Sequence, residues 1–134
     1  MKVTVLPLFI IIILTACKES VVKQSFSSAD SLVVYFKNET AGIVTKTVQT
    51  TEKNAIKKMI DLIDSKPAGE LQCGYDGKMF FYKDNEKIQE VDFKFLSDTC
   101  NHFALLLNGD IMYTSMSGEA IDFIKAIESG MPYY

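Results

Sequence analysis

Turn signals divide the second half of the chain into short segments. Asp76-Gly77 and Asn108-Gly109 are typical of two-residue type I′ turns, because both central residues of such a turn need a positive φ angle. Weaker turn signals lie between them at Asp84-Asn85 and Ser97-Asp98. Tight turns of this kind join antiparallel neighbours. The pattern therefore predicts an antiparallel meander of five strands, over residues 70–75, 78–82, 87–96, 100–107 and 110–115.

The third of these segments indicates how the sheet is buried. Val91, Phe93 and Phe95 alternate with Asp92 and Lys94. Such alternation is typical of a strand with one face in the core and the other in water. We therefore expect the sheet to be covered on one face.

The first half of the chain predicts two more strands and a helix. Residues 31–36 are apolar on both faces, and the segment 43–50, which is rich in Val and Thr, follows as a hairpin partner. Apolar residues then recur at helical spacing from 56 to 63, after the capping residue Thr51. A last helix begins at its cap, Ser117. The order ββα-βββββ-α predicts an α+β fold with two helices packed on the sheet.

The composition is that of one compact domain. A chain of 134 residues with apolar residues throughout predicts a single core, over 31–130, followed by a short tail over 131–134. All 14 basic residues are lysine, and the net charge is -3. Because the planar guanidinium of arginine is the usual group for recognising phosphate and guanine, we expect no nucleic-acid partner.

An apolar run opens the chain. Residues 3–14 are uncharged and follow a basic start at Lys2. The run is too short to cross a bilayer core, which needs about 20 apolar residues. It is instead typical of an export signal, which takes no part in the fold.

The run ends in Leu14-Thr15-Ala16-Cys17, which resembles the lipobox of bacterial lipoprotein precursors. The resemblance implies a signal peptide over 1–16, cleavage after Ala16, a diacylglyceryl group on the Cys17 sulfur and an acyl group on the new amine. It also implies a membrane-anchored protein of the cell envelope. Lys18 rather than Asp follows the cysteine, which favours the outer membrane, on its periplasmic or surface face. The alternatives are an ordinary cleaved signal before an unrelated cysteine, or a buried N-terminal strand.

Residues 17–30 are predicted to link the anchor to the domain. After Cys17 the segment is rich in Ser and charge and has no sustained periodicity, which is typical of a flexible tether. A coil of a dozen residues reaches roughly 20 Å. Such a tether would hold the domain clear of the lipid head groups.

Cys73 and Cys100 remain once Cys17 is assigned to the lipid. Exported proteins fold in an oxidising compartment, so we expect these two cysteines to form a disulfide. One alternative is a metal site with His102, which lacks the fourth ligand of structural zinc. Another is a Cys100 thiol nucleophile beside His102, which oxidation would remove. We expect no metal and no cofactor beyond the covalent lipid, and we expect His102 to be partly exposed on a strand.

Recognised catalytic fingerprints are missing from the sequence, including GxSxG, HExxH and the P-loop. Asp76, Asp84 and Asp98 lie at turn signals, where local hydrogen bonds explain them. Asp61 and Asp64 are expected to be solvated and without polar partners. A non-catalytic protein is therefore favoured over an enzyme.

Three lysines cluster on the solvent side of the first predicted helix: Lys53, Lys57 and Lys58. Such a cluster is more often a solvated helix face than a contact for an anionic partner. The sequence leaves both interpretations open.

A binding function is the first hypothesis, with a protein or another component of the envelope as partner. Met131, Tyr133 and Tyr134 at the C-terminal end are candidate contact residues, as are Met112 and Met116. Methionine adapts to irregular surfaces, and tyrosine is enriched at interfaces. The alternatives are core packing for the methionines and a frayed tail for the tyrosines. A surface of the sheet is the other candidate contact region.

The second hypothesis is an inhibitor or immunity lipoprotein that acts on a wall-degrading enzyme or toxin. Residues 71–81, LQCGYDGKMFF, resemble the cysteine-bearing first strand and turn of periplasmic lysozyme-inhibitor lipoproteins. The inhibitory loop of that family, rich in Ser and Gly and ending in Arg-Tyr, is absent from this sequence. The resemblance therefore assigns no inhibitory residue.

Overall fold

The computed structural model describes residues 19–38 and 40–130. These residues form an antiparallel sheet with the spatial order β2-β1-β3-β4-β5-β6, together with three helices. The strands are β1 (Ser31–Lys37), β2 (Val44–Thr50), β3 (Gly77–Lys83), β4 (Glu86–Lys94), β5 (His102–Leu107) and β6 (Asp110–Ser115). The helices are α1 (Val21–Ser25), α2 (Lys53–Ile63) and α3 (Gly118–Ser129). The predicted α+β class, with a strand meander and packed helices, is confirmed.

The helices pack on one face of the sheet and close the core there. Alternate residues of β1, namely Leu32, Val34 and Phe36, are buried against this layer. The helices contribute Ala55, Ile56, Met59 and Ile63 from α2, and Ala120, Phe123 and Ile124 from α3. The opposite face of the sheet carries no described helix. We call it the open face.

Helix ends follow local sequence signals in part. The Ser117 hydroxyl accepts a hydrogen bond from the Ala120 N–H at 3.1 Å, and Gly130 ends α3 with a φ of 75°. Thr51 does not cap α2, because Glu52 occupies that position without a side-chain hydrogen bond. In the described parts of the chain, no helix is long and apolar enough to cross a membrane.

The segment predicted to be a flexible tether is part of the fold where the structure describes it. The Ser20 hydroxyl accepts a hydrogen bond from the Lys23 N–H at 3.0 Å and begins α1. Val22 and Phe26 are buried, and the Phe26 ring packs edge-on against Phe81 with centroids 4.6 Å apart. The prediction of a flexible tether over residues 17–30 is therefore wrong for the described residues 19–30. Two apolar residues four apart lie on one side of a helical turn, and this spacing was the overlooked signal.

The first predicted strand of the meander is absent, since residues 70–75 form a loop and the meander has four strands, β3 to β6. Gly77 begins β3 directly and makes no hairpin turn. A Cβ at this position would lie 2.3 Å from Phe93 Cζ and 2.4 Å from the Tyr35 carbonyl oxygen. The glycine therefore allows close packing, and the prediction of a type I′ turn at Asp76-Gly77 is wrong.

Two of the other turn signals mark two-residue hairpins. Asp84 and Asn85 have φ angles of 49° and 66° between β3 and β4, and Asn108 and Gly109 have 52° and 87° between β5 and β6. Positive φ at both central residues is the type I′ requirement. These turns set the antiparallel register on which the open face depends.

Candidate functional site

The open face is the candidate functional site, because its side chains are not used by the described core. Strand register brings one residue set onto this face: Val33 and Tyr35 from β1, Lys78 and Phe80 from β3, Glu90 and Asp92 from β4, Ala104 and Leu106 from β5, and Ile111 and Tyr113 from β6. The set mixes aromatic, aliphatic and charged groups. An arrangement of this kind is suited to contact with a partner.

A row of ion pairs crosses the middle of the open face. Lys78 Nζ contacts the Glu90 carboxylate and lies 3.4 Å from Asp92 Oδ1, and Lys87 Nζ lies 3.0 Å from Glu90 Oε2. The hydrogen bond from Lys78, and then the one from Lys87, lowers the pKa of Glu90. The same bond to Glu90 raises the pKa of Lys78. These charges separate two grooves.

The first groove lies over β2, β1 and β3. It has a volume of about 410 Å³ and is lined by Tyr35, Lys37, Val44, Lys78 and Phe80. The Tyr35 and Phe80 rings meet edge-on with centroids 5.5 Å apart. The floor is therefore aromatic, and both charged residues in the lining are lysines.

The second groove lies over β4, β5 and β6 and has a volume of about 280 Å³. Leu106 and Ile111 face each other across β5 and β6 and are 59% and 62% exposed. Glu90 and Asp92 form the acidic wall beside them. Two neighbouring exposed aliphatic side chains next to carboxylates suit a partner that is apolar at its centre and basic at its rim. We call this the Leu106 groove; it is lined by Tyr75, Glu90, Asp92, Ala104, Leu105, Leu106 and Ile111.

One end of the open face is covered, and His102 lies beneath the cover. The His102 side chain is completely buried between the rings of Tyr75 and Tyr113, with centroids 5.6 Å and 5.9 Å away. Its Nδ1 lies 2.8 Å from the Cys100 carbonyl oxygen, which can only accept, so Nδ1 carries the proton. Nε2 has no hydrogen-bond partner in the described structure. The prediction of a partly exposed histidine is wrong.

Tyr75 belongs to the loop that covers His102. Burial raises the pKa of the Tyr75 phenol, and the nearby Tyr113 and Asp92 raise it further. Each of these effects disfavours the phenolate. Tyr75 therefore lines the Leu106 groove as a neutral hydrogen-bonding group at ordinary pH.

The loop is held by two cysteines that the sequence analysis expected to pair. The sulfur atoms of Cys73 and Cys100 lie at disulfide distance, and their Cα atoms are 6.3 Å apart. The pair connects the loop before β3 to the residues that precede β5, next to His102. In the ranges 19–38 and 40–130, no group of three His, Cys, Asp or Glu side chains is arranged to hold a metal ion.

Asp76 fixes the other end of the same loop. Its carboxylate accepts hydrogen bonds from the Phe95 N–H at 2.8 Å and the Leu96 N–H at 2.9 Å, and it lies 3.2 Å from Lys94 Nζ. The side chains of Asp76 and Lys94 are both buried. The partners are the last residue of β4 and the two residues after it, so the interpretation of Asp76 as a locally bonded turn residue is wrong. The carboxylate anchors the Tyr75 loop to the end of β4.

The remaining predicted site residues fall into two groups. Cys17, Met131, Tyr133 and Tyr134 lie outside the described residues. Met112 and Met116 are half-buried and pack against the core, so core packing is the interpretation that the structure supports.

The expectation of an unpartnered Asp61 is also wrong. The Asp61 carboxylate lies 2.7 Å from both Lys23 Nζ and Lys57 Nζ. The hydrogen bond from Lys23, followed by the one from Lys57, lowers the pKa of Asp61. This cluster connects α1 to α2.

Sequence reasoning missed the Leu106 groove. The run Leu105-Leu106-Leu107 does not alternate with polar residues, so it gives no local sign of which leucine is exposed. The signal that could have found it is the register set by Asn108-Gly109, which places Leu106 opposite Ile111 on one face.

The fold and this surface define a small α+β protein with an open-faced antiparallel sheet and a loop held by a cysteine pair. No protein-family model, no curated protein and no solved structure matches the chain. The residues of the open face and of the N-terminal motif are therefore the basis for inferring a function.

Proposed function

We propose that this protein is a lipid-anchored lipoprotein of the bacterial cell envelope that binds an envelope protein through the Leu106 groove and performs no catalysis. The observation that carries the binding role is the exposed pair Leu106 and Ile111 beside Glu90 and Asp92. Burying each aliphatic side chain would contribute about 1.5–3 kcal/mol. The neighbouring carboxylates would select a partner with a basic rim.

The anchor is supported by the sequence Leu14-Thr15-Ala16-Cys17. The proposal places a diacylglyceryl group on Cys17 and the protein in the outer membrane, on either its periplasmic or its surface face. More than one acyl chain gives stable membrane attachment. Cys17→Ala should abolish incorporation of a labelled fatty acid and leave the uncleaved precursor, whereas Cys73→Ala should keep the label. Equal labelling of both variants would overturn the anchor.

Site-specific photo-crosslinking in intact cells tests the binding surface. A photoreactive residue at position 106 or 111 should yield one shared adduct with an envelope protein. Position 96 is the matched control, because Leu96 is 64% exposed but lies outside the groove lining. The same adduct from all three positions would show that the groove has no special role.

The acidic wall of the groove supports a second candidate, an inhibitor or immunity lipoprotein against a wall-degrading enzyme or toxin. Glu90 and Asp92 would face a basic region of the target. The structure weakens the earlier resemblance, because Cys73 lies in a loop and not on a first strand. Titration against lysozymes of several types tests this candidate, and undiminished lysozyme activity at saturating protein would exclude lysozyme as the target.

A further inference from the structure

The described fold begins close to the proposed site of lipid attachment. Glu19 is two residues after Cys17, and α1 follows at Val21. Two extended residues span at most about 7 Å. Since α1 is fixed to the core by Val22 and Phe26, the lipid has little free chain between itself and the folded domain. This inference depends on the proposed anchor at Cys17.

The first described residue, Glu19, borders a groove between α1 and α2. Glu19 lines this groove of about 420 Å³ together with residues from both helices, including Lys23, Lys53 and Lys57. Three lysines and two acidic residues, Glu19 and Asp61, belong to this lining, although the chain as a whole has a net charge of -3. Lys18 adds one more positive charge beside the anchor in the sequence. This surface, the α1–α2 face, therefore has a small local excess of positive charge.

The exposed groups on the α1–α2 face match the chemistry of a lipid surface. The Lys57 side chain is 76% exposed although it pairs with Asp61, and Lys53 is also exposed. Lysines attract anionic head groups.

We infer that the α1–α2 face lies against anionic lipid head groups and that the open face points away from the membrane. The helices cover one side of the sheet, so a domain held by its α1–α2 face presents the other side outward. The short link makes this orientation a consequence of the anchor position. It also leaves the Leu106 groove accessible to an envelope partner.

Lysine labelling of the acylated full-length mature protein tests this orientation. The protein is reconstituted in phosphatidylglycerol vesicles, in phosphatidylcholine vesicles and in detergent, and the acetylation rate of each lysine is followed by mass spectrometry. Attraction to an anionic surface favours the lysine in contact with the surface over the free lysine by a factor of about five. We therefore expect Lys53 and Lys57 to react about fivefold more slowly in phosphatidylglycerol vesicles than in detergent. Lys87, half-exposed on the far side of the sheet, should not change and is the internal control.

A charge reversal separates electrostatic contact from simple proximity. Lys53→Glu should reduce the protection of Lys57 in phosphatidylglycerol vesicles, whereas Lys87→Glu should leave it unchanged. Unprotected Lys53 and Lys57 in a chain whose mass shows the lipid would overturn the orientation and leave the anchor intact. A chain without lipid on Cys17 would overturn the anchor and this inference together.

Discussion

Gly77 lies directly against the ring of Phe93 across β3 and β4. A Cβ on Gly77 would approach Phe93 Cζ to 2.3 Å and the backbone oxygen of Tyr35 to 2.4 Å. The ring could move, but the backbone oxygen belongs to the paired strand β1. The sheet therefore excludes any side chain at this position.

Gly77→Ala should destabilise the protein by about 1–3 kcal/mol, because overpacking at a backbone contact forces strands apart. Urea unfolding measures the loss. Gly118→Ala is the matched control, since a Cβ there meets nothing within 4 Å and Gly118 lies in the first turn of α3. That control should be neutral or slightly stabilising, and equal losses for both variants would contradict the packing argument.

Replacing Cys73 and Cys100 by serine together should cost about 3.6 kcal/mol of stability, the chain-entropy value for a loop of this length. The two cysteines are separated by 27 residues in sequence. Urea unfolding with and without a reductant measures the effect. The reductant should destabilise the wild type and leave the double-serine variant unchanged. A wild type indifferent to reductant would show that the cysteines are not bonded.

Asp76→Asn should destabilise the protein by about 3 kcal/mol, because it removes the charge from a buried ion pair. The asparagine amide also cannot accept all the hydrogen bonds that the Asp76 carboxylate receives from Phe95, Leu96 and Lys94. Thermal unfolding provides the measurement. Asp84→Asn, at an exposed turn with the same change in charge, should alter stability by less than about 0.5 kcal/mol.

The Glu90 cluster predicts how stability depends on pH. The hydrogen bond from Lys78 lowers the pKa of Glu90 below its ordinary value of 4.5. A group with a lowered folded pKa stabilises the protein above its unfolded pKa, and this contribution is lost as the pH falls through the folded pKa. Because the pair is partly exposed, the loss should not exceed about 1 kcal/mol.

In the Glu90→Gln variant, the free energy of unfolding should therefore decrease less below pH 4.5 than it does in the wild type. Urea unfolding at a series of pH values measures this difference. Glu86→Gln, which removes a carboxylate from an exposed position at the start of β4, is the matched control. An acid dependence in Glu90→Gln identical to that of the wild type would remove Glu90 as a contributor.

The sequence predicted those parts of the sheet whose geometry depends on adjacent residues. The turns at Asp84-Asn85 and Asn108-Gly109 depend on positive φ at adjacent residues, which side-chain type largely decides. Asp76-Gly77 has the same sequence signal, but a glycine is needed there because the Phe93 side chain, on another strand, packs against it. Sequence cannot separate a glycine needed for a turn from one needed for close packing.

The candidate site was less predictable, because its exposure is a tertiary property. Residues 31–36 were expected to be apolar on both faces, but only the placement of the helices decides that Tyr35 is on the open face. Similarly, His102 is buried because the Cys73 loop brings Tyr75 over it. These contacts join residues far apart in sequence, so no local pattern encodes them.

Leu106→Asp should abolish capture of the envelope partner while leaving the fold intact. The side chain is 59% exposed, so the loss of stability should stay within about 1 kcal/mol, the cost of placing a carboxylate near Glu90 and Asp92. A carboxylate in the apolar part of a groove would meet the partner's buried surface and cost at least about 2 kcal/mol of binding, or roughly a thirtyfold loss of affinity. Leu96→Asp, at an equally exposed leucine outside the groove, should keep the affinity. The amount of crosslinked adduct recovered from cells measures binding, and an unfolding experiment in parallel shows whether the variant is still folded. Unchanged capture by Leu106→Asp would exclude the Leu106 groove as the binding surface.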